Sequence, residues 1–346
     1  MRPGAGPAPR LGIDIGGTKT AVALVAPDAS VLALRTTPSG RGPHGVVEVA
    51  ARLALEVALE AGGVAEVAGV GACMPGLVDP ATGLARHAVN LDVEAVDLAG
   101  GLGLRLGHPV AVENDVKAAA LGAWRLTVDA SGDAGPGGSG PGALAYLNLG
   151  TGLASAVVRD GVVVRGIAGA AGEIGHLPVA GDVPCSCGQV GCLETVASGS
   201  ALARLWPQRT RLAPDPFVAA AAGDLAARVA VDVLASGIGL AVQVLALASG
   251  AEHVVAGGGL AGLGAPLHDA VRSDLVRRSR ASRLVAALDL PDRFGLLPAS
   301  LPVAAVGAAF LAIRPDADGV EGVHGVDGVD GVDGAAPADR AGERVG

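Results

Sequence analysis

The stretch "LGIDIGGTKTAVALVAPDASVLALRT" (residues 11–36) alternates apolar runs with short turn sequences. Three apolar runs, Leu11–Ile15, Ala21–Val25 and Val31–Leu34, are separated by the turn sequences "GGTK" and "PDAS". This pattern predicts three strands joined by tight turns. A similar arrangement returns in "ALAYLNLGTGLASAVVRDGVVVRG" (143–166), where a polar residue again precedes a glycine–threonine turn. The sequence therefore predicts two copies of one α/β unit that begins with a β-hairpin.

Helical and strand patterns alternate along the rest of the chain, as in an α/β protein. The periodicity predicts a helix over about 44–61, strands over 67–73, 109–112 and 253–255, and a last helix over about 303–312.

Composition divides the chain into domains. Residues 129–142 are rich in Gly, Pro and Ser and mark a boundary, and the repeat "GVEGVHGVDGVDGVDG" near the end has too little apolar surface to fold. The last helix is a candidate to pack back on the N-terminal domain. We expect a flexible arm at 1–10, an N-terminal α/β domain at 11–128, a flexible linker at 129–142, a C-terminal α/β domain at 143–314 and a disordered tail at 315–346.

Charge and composition exclude several classes of partner. The formal net charge is −9 and only 2% of the residues are aromatic, whereas nucleic-acid binding needs clusters of Lys and Arg and aromatic stacking platforms. Residues 233–251 are uncharged over nearly the length of a membrane span, but Gln243, serines and glycines dilute them, which favours a helix in an Ala-rich core. Since no N-terminal signal is visible, we expect a soluble cytoplasmic protein without nucleic-acid or membrane partners.

Three glycine-rich turns follow predicted strands and suit nucleotide phosphates. In "DIGGTK", the glycines let backbone N–H groups approach an anion, a hydroxyl and a cation follow, and the aspartate could hold magnesium through water. The other turns are in "NLGTG" and "AGGGLAG". An ordinary glycine turn is the alternative for each, but two such turns that face one cleft favour a phosphate site. The predicted nucleotide-binding residues are Asp14, Gly16, Gly17, Thr18, Lys19, Gly150, Thr151, Gly152, Gly257, Gly258 and Gly259.

The sequence "VENDV" (112–116) places Asn114 and Asp115 where a strand meets a helix. Ligands of open α/β sheets bind outside the carboxyl ends of strands, where an acid could accept a proton from an attacking hydroxyl. A helix N-cap suits the same spacing equally well. On the residues alone, both interpretations stay open.

The stretch "EIGHLPVAGDVPCSCGQVGCLE" (173–194) contains three of the four cysteines. With one histidine they supply the four ligands of a closed tetrahedral zinc site. Disulfides are the alternative, but the cysteines of "CSC" cannot pair with each other without strain, and Cys73 lies far away in an apolar strand. We therefore predict a structural zinc ion. Its ligands are His176, Cys185, Cys187 and Cys192.

Two glutamates flank these ligands. Glu173 lies three residues before His176, and Glu194 follows the last cysteine by two. A four-ligand zinc site needs neither carboxylate. We therefore interpret the metal as a structural ion that positions both glutamates and the imidazole to bind a polar, uncharged ligand. A sugar fits, because carboxylates and an imidazole N–H hydrogen-bond hydroxyl groups well.

Together these motifs resemble one known family. "DIGGTKTAVAL", "PG", "VENDVKAAALG", "LNLGTG", "GAAGEIGH" and "CSCGQVGCLETVASG" occur in the order typical of the ROK family of bacterial sugar kinases and regulators, within the actin-like, hexokinase-type ATPase superfamily. The resemblance covers residues 11 to about 313. It implies an α/β fold with two actin-like, ribonuclease H-like domains around an interdomain cleft and a small zinc-binding insertion.

The resemblance also implies an activity. The chain would be an ATP-dependent kinase for glucose or a related aminohexose, with phosphorylation at the 6-hydroxyl, Mg²⁺ accompanying ATP, and Asp115 as the catalytic base. His176 and the three cysteines would hold zinc. We expect a homodimer or homotetramer. The sugar-binding residues would be Gly76, Asn114, Asp115, Glu173, His176 and Glu194.

Two alternatives and two departures accompany this interpretation. A sugar-responsive regulator needs a helix-turn-helix module, for which ten residues before the first strand are too few, and a non-catalytic sugar sensor does not need the retained aspartate. Lys117 stands where a small or amide residue is common, and the glycines that usually follow "LGTG" are replaced by Leu153, Ala154 and Ser155.

Overall fold

The computed structural model describes residues 7–131, 142–179, 181–207 and 215–311. Their strands are β1 Arg10–Ile15, β2 Lys19–Val25, β3 Val31–Pro38, β4 Val70–Met74, β5 Leu77–Asp79, β6 Leu84–Ala88, β7 Val93–Asp97, β8 Val110–Asn114, β9 Ala143–Leu149, β10 Leu153–Arg159, β11 Val162–Val163, β12 His253–Gly257 and β13 Phe294–Leu296. Their α-helices are α1 Gly42–Ala58, α2 Leu98–Leu106, α3 Asp115–Ser131, α4 Gly199–Leu205, α5 Pro216–Ala221, α6 Leu225–Ser249, α7 Ala265–Ala281, α8 Arg283–Ala286, α9 Leu290–Arg293 and α10 Val303–Phe310.

The two hairpin-led units form two five-stranded mixed sheets of the same topology. The first has the order β3-β2-β1-β4-β8 and the second the order β11-β10-β9-β12-β13. In each sheet the central strand pairs antiparallel with its neighbour on one side and parallel with its neighbour on the other. One further antiparallel strand and one further parallel strand form the two edges. The central strands are almost wholly buried, because apolar side chains occupy both of their faces. The internal repeat of the sequence is therefore a repeat of sheet topology.

Several boundaries differ from those predicted. Helix α3 continues to Ser131, so residues 129–131 are helical, because the glycines and prolines of the predicted linker begin only after them. The last helix ends at Phe310. A third, antiparallel sheet, β5-β6-β7, was not predicted, since its strands are short and carry several exposed residues. Residues 1–6 of the predicted arm, 132–141 of the linker and the tail at 315–346 lie outside the described residues.

Helix α6 is the long apolar helix predicted from residues 233–251. By length and composition alone it could cross a membrane, and 56% of its most apolar window is buried inside the protein. It packs against α5, α7 and β12, and Leu234, Ile238 and Val242 contribute to the hydrophobic core. The helix therefore forms part of the core of the C-terminal half.

Helices α3 and α10 connect the two sheets. Helix α10 packs against β1 and β4 of the first sheet and against α3, while α3 also packs against β9 and β10 of the second. Glycine makes the approach to the first sheet possible: a Cβ on Gly12 would overlap the carbonyl oxygen of Ala305, and one on Gly71 would overlap that of Ala308. Since Gly12 and Gly71 pair in register, no side chain separates α10 from the two strands at this pair.

We expect Gly71→Ala to destabilise the protein by about 1–3 kcal/mol or more, because the added methyl group would meet a backbone carbonyl that cannot rotate away. Gly295→Ala on β13 is the matched control, since a Cβ there would meet no atom within 4 Å. Thermal unfolding measures both variants. Equal melting temperatures would contradict the close packing of α10 against the sheet.

Candidate active site

Three polar side chains form a row across the parallel strands of the first sheet. Asp14 on β1 pairs in register with Cys73 on β4, and Cys73 pairs with Glu113 on β8. Residues opposite one another on neighbouring strands point to the same face of a sheet. This is the face covered by α10, since the Cys73 thiol lies 3.8 Å from the carbonyl oxygen of Ala304 and also donates to Asp14 Oδ1 over 3.7 Å. The sheet therefore gathers two carboxyl groups and a thiol within its interior.

Asn114 ends β8 and orients Asp115, the first residue of α3. Its Oδ1 accepts hydrogen bonds from the backbone N–H groups of Val116 (3.0 Å) and Lys117 (3.2 Å), as an N-cap does. Its Nδ2 donates to the carbonyl oxygen of Gly76 (3.2 Å) and to Asp115 Oδ1 (3.0 Å). Asn114 therefore caps the helix, and Asp115 follows it as the first residue of α3.

Burial and like charge raise the pKa values of both aspartates. Burial, and then the charge of Asp115, raises the pKa of Asp14 to about 7, which the hydrogen bond from Cys73 offsets only in part. Burial also raises the pKa of Asp115, and Glu173 adds to the rise. On β9 of the second sheet, burial and the two aspartates raise the pKa of Tyr146. Charged groups of the first sheet thus act on the ionisation of a residue in the second sheet.

The three glycine-rich turns lie at the carboxyl ends of central or neighbouring strands. The turn at 16–18 joins β1 to β2, and the turn at 150–152 joins β9 to β10. The turn at 257–259 ends β12, the parallel neighbour of β9, and Gly257 lies opposite Asn148. The second and third turns are therefore neighbours in the second sheet, whereas the first turn belongs to the first sheet.

The four predicted metal ligands meet in one cluster. One ligand atom from each lies within 4.8 Å of the others. The Sγ atoms of Cys187 and Cys192 are 3.6 Å apart, and Cys185 Sγ is 3.8 Å from His176 Nδ1. Tetrahedral zinc with Zn–S bonds of ~2.3 Å sets its ligands about 3.8 Å apart. Hydrogen bonds from Gln189 lower the pKa of Cys187 to about 6, which favours the thiolate that a metal needs. The cluster therefore fits a tetrahedral ion.

Glu194 connects this cluster to the second glycine turn. Its Oε1 lies 2.9 Å from Cys185 Sγ and 3.8 Å from His176 Nδ1. Its Oε2 lies 2.8 Å from the place that a Cβ on Gly152 would occupy, so this glycine leaves room for the carboxylate. A cavity of about 390 Å³ opens beside it, and its lining includes Thr151, Gly152, Cys185, Glu194, Ser200 and Arg204.

A short 3₁₀ turn joins the two groups of predicted site residues. Glu173 is exposed, and its carbonyl oxygen accepts a hydrogen bond from the His176 N–H over 3.1 Å. Glu173 acts electrostatically on Asp115, while His176 Nδ1 faces the cysteines. The first group comprises Asp14, Gly76, Asn114, Asp115 and Glu173, and the second His176, Cys185, Cys187, Cys192 and Glu194.

Sequence reasoning missed several contributors to the site. Cys73 lies beside Asp14, Tyr146 lies near both aspartates, and Glu113 forms a 2.8 Å ion pair with Arg165. Some signals were present: Tyr146 is the only tyrosine of the chain, and Glu113 is a charge within an otherwise apolar strand. Arg165 gave none, because its partner lies 52 residues away in sequence.

A profile of the ROK family matches residues 10–314. The chain belongs to the ROK family. It is 32% identical over 333 residues to a glucokinase of Streptomyces coelicolor, which spans 88% of this chain and 98% of that protein. Among solved structures, it is similar to a ROK hexokinase from Thermus thermophilus (29% identity, TM-score 0.69, 88% of this chain and 97% of that chain). It is also similar to a ROK family glucokinase from Streptomyces griseus in complex with glucose and AMPPNP (28% identity, TM-score 0.67, 88% and 98% of the chains).

Asp14→Asn should stabilise the metal-free protein at pH 8. The pKa of Asp14 is about 7 in the folded protein against an ordinary value of 3.8, and a difference of ~3 corresponds to at most about 4 kcal/mol. Below pH 3.8 the carboxyl is protonated in both states and costs nothing. The penalty grows as the pH rises toward 7, because only the unfolded state releases the proton readily.

Urea unfolding at pH 5 and pH 8, with a chelator present, measures this effect. The advantage of Asp14→Asn should be largest at pH 8 and shrink toward pH 5. Asp28→Asn is the control, since hydrogen bonds from Ser30 lower the pKa of Asp28 and its removal should give no such gain. A variant that is less stable than the wild type at pH 8 would show that the ionised Asp14 carboxylate does not destabilise the folded protein.

Proposed function

We propose that the protein is an ATP-dependent hexose kinase that transfers the γ-phosphoryl group to the 6-hydroxyl of glucose or a related aminohexose. The observation that carries the proposal is the Asp115 carboxylate, which stands at the carboxyl end of β8 and is oriented by Asn114 and by the first turn of α3. Similarity to glucokinases over most of the chain supports a hexose as the acceptor.

In the proposed reaction, Asp115 accepts the proton of the sugar hydroxyl while that oxygen attacks the γ-phosphorus. The bond from the γ-phosphorus to the oxygen that bridges it to the β-phosphorus breaks, and ADP leaves. A raised pKa makes ionised Asp115 a better proton acceptor than an ordinary aspartate. Since phosphoryl transfer depends mainly on positioning and charge stabilisation, the bond from Asn114 Nδ2 to Asp115 serves to aim the carboxylate.

The glycine turns are proposed to bind the nucleotide. Backbone N–H groups of such turns suit phosphate oxygens, and the exposed side chains of Thr18 and Lys19 add a hydroxyl and a cation. Mg²⁺ bound with ATP would neutralise phosphate charge, and Asp14 would hold it through water. The proposed residues are Gly16, Gly17, Thr18 and Lys19 in the first sheet and Gly150, Thr151, Gly152, Gly257, Gly258 and Gly259 in the second.

The sugar is proposed to bind between the two groups of site residues. Asn114, Asp115 and Glu173 offer polar atoms on one side, with the Gly76 backbone beside them. On the other side, His176 Nδ1 faces the cysteines, so the nitrogen left for a hydroxyl is Nε2. Glu194, next to His176, supplies a second carboxylate.

We propose zinc as the metal of the cysteine cluster, with a structural role. Four protein ligands fill a tetrahedral coordination sphere, so no position remains for a reacting water. Zinc bound to Nδ1 would fix the tautomer of His176 and leave its Nε2 as a hydrogen-bond donor. The spacing of the four donor atoms supports this ion.

The two alternatives are less supported. A sugar-responsive regulator and a non-catalytic sensor both need a sugar site, but neither needs a buried carboxylate beside the acceptor hydroxyl. We propose in addition that the protein is cytoplasmic and that it assembles as a homodimer or homotetramer. The family resemblance supports both proposals, and light scattering would test the assembly.

Phosphorylation of a hexose panel with ATP tests the function. The panel comprises glucose, N-acetylglucosamine, N-acetylmannosamine, mannose and fructose. With the best sugar, Asp115→Asn should lower kcat by ~10²–10⁴-fold, since it removes the general base, while calorimetry should still detect sugar binding. Asp28→Asn, an exposed site remote in sequence, is the control. No transfer to any hexose would refute the kinase, and near-wild-type kcat in Asp115→Asn would leave Asp115 without a role as base.

Cys187→Ser should lose zinc and weaken sugar binding. Loss of the ion releases both His176 and the nearby Glu194, so the sugar KM should rise strongly, the melting temperature should fall and the ATP KM should change much less. Elemental analysis should find about one zinc per wild-type chain. Cys73→Ser, outside the cluster, is the control for zinc content. Full activity in metal-free wild-type protein would exclude this role.

A further inference from the structure

An ion pair between buried Glu113 and partly exposed Arg165 ties β8, the strand that leads into Asn114 and Asp115, to the second half of the chain. Glu113 on β8 is 1% exposed, and its Oε2 accepts a hydrogen bond from Arg165 Nε over 2.8 Å. Its Oε1 accepts one from the backbone N–H of Asn114 over 3.0 Å. One carboxylate therefore holds both the backbone that leads into Asp115 and a side chain from the segment after β11.

Arg165 begins the segment that leads to Glu173. The carbonyl oxygen of Arg165 accepts a hydrogen bond from the Ala171 N–H over 3.0 Å, which closes the loop between them. The far end is fixed to β10, because the Gly172 carbonyl oxygen accepts bonds from the N–H (2.9 Å) and the hydroxyl (2.8 Å) of Ser155. Glu173 follows directly. Its place relative to Asp115 therefore depends on two anchors, one on each sheet.

Electrostatics makes the Arg165 anchor necessary. Glu113 lies in the same row of the sheet as Asp14 and shares its surroundings with Asp115. Without Arg165 it would be a buried carboxylate beside two other carboxyl groups, with no ion-pair partner among the described residues. Breaking one side of a buried pair is costly, because the remaining charge stays buried without compensation. Because 43% of the Arg165 side chain stays exposed, Arg165 loses little hydration when it pairs with Glu113.

We propose that Arg165 is a positioning residue for phosphoryl transfer: through Glu113 it fixes the loop that carries Glu173 relative to Asn114 and Asp115. The inference rests on the proposed hexose kinase activity. It assigns a role to a residue outside the sets proposed above to bind the sugar and the nucleotide. It also gives a role to the charged residue of β8 and to the Ser155 hydroxyl, which bonds the carbonyl oxygen of Gly172.

The test compares Arg165→Met, Arg165→Lys, Glu113→Gln and the double variant Arg165→Met/Glu113→Gln. Arg165→Met should raise the hexose KM and lower kcat, reducing kcat/KM about tenfold or more, since small misplacements of reacting groups are costly. The ATP KM should stay within about twofold. Arg165→Lys should restore part of the activity, and the double variant should be no worse than the poorer single variant, because the pair acts as a unit.

Arg35→Met is the matched control. Arg35 and Glu60 also form an ion pair at 2.8 Å, but both are about half exposed and lie away from the site, so kinetics should not change. Kinetics of Arg165→Met within about twofold of wild type, or effects of the two single variants that multiply in the double variant, would overturn the proposal.

Hydrogen exchange separates this inference from the kinase assignment, because it needs no sugar. Amides of residues 165–176 should exchange faster in Arg165→Met and in Glu113→Gln, but not in Arg35→Met. If the wild type phosphorylates no hexose, the proposed function fails and the exchange data alone decide whether the anchor exists. Unchanged exchange in 165–176 would overturn the proposal whatever the activity.

Discussion

The crowding of carboxyl groups on one face of the first sheet is the constraint on which the site depends. Register places Asp14 and Glu113 in one row, and the start of α3 adds Asp115. Like charges with little water around them repel strongly. Each group is stabilised differently: the Cys73 thiol donates to Asp14, Arg165 pairs with Glu113, and Asn114 and the first turn of α3 hold Asp115. The burial that raises the pKa values also fixes the geometry.

The duplicated sheet explains how such a site arises. Each half presents a glycine turn at the end of its central strand, and the two halves are joined through α3 and α10. Because α10 packs against glycine backbone at Gly12 and Gly71, the helix lies close to the strands that carry Asp14 and Cys73. A chain with 55 glycines and few aromatic residues can build such a contact. Small residues thus allow α10 to pack closely against the first sheet, and polar side chains beside this contact form part of the candidate site.

The sequence predicted the features that depend on residues close together in the chain. The strands of both hairpin-led units and the clustering of His176 with Cys185, Cys187 and Cys192 follow from short-range spacing. Long-range consequences could not be predicted. The pairing of Glu113 with Arg165 and the approach of Glu194 to Gly152 depend on how distant segments pack. The assignment of N-cap to Asn114 rather than Asp115 needed the hydrogen bonds of α3, because both residue types suit that position.

The pH dependence of kcat/KM for the best hexose distinguishes a buried general base from an ordinary aspartate. Burial raises the pKa of Asp115 above the ordinary 3.8, and we propose that Asp115 is this base. Since only the ionised carboxylate accepts the proton, activity should fall as the pH is lowered through that raised pKa. The expected pH profile has an acid limb with its midpoint clearly above 3.8. A rate that stays constant down to the ordinary pKa of aspartate would contradict it.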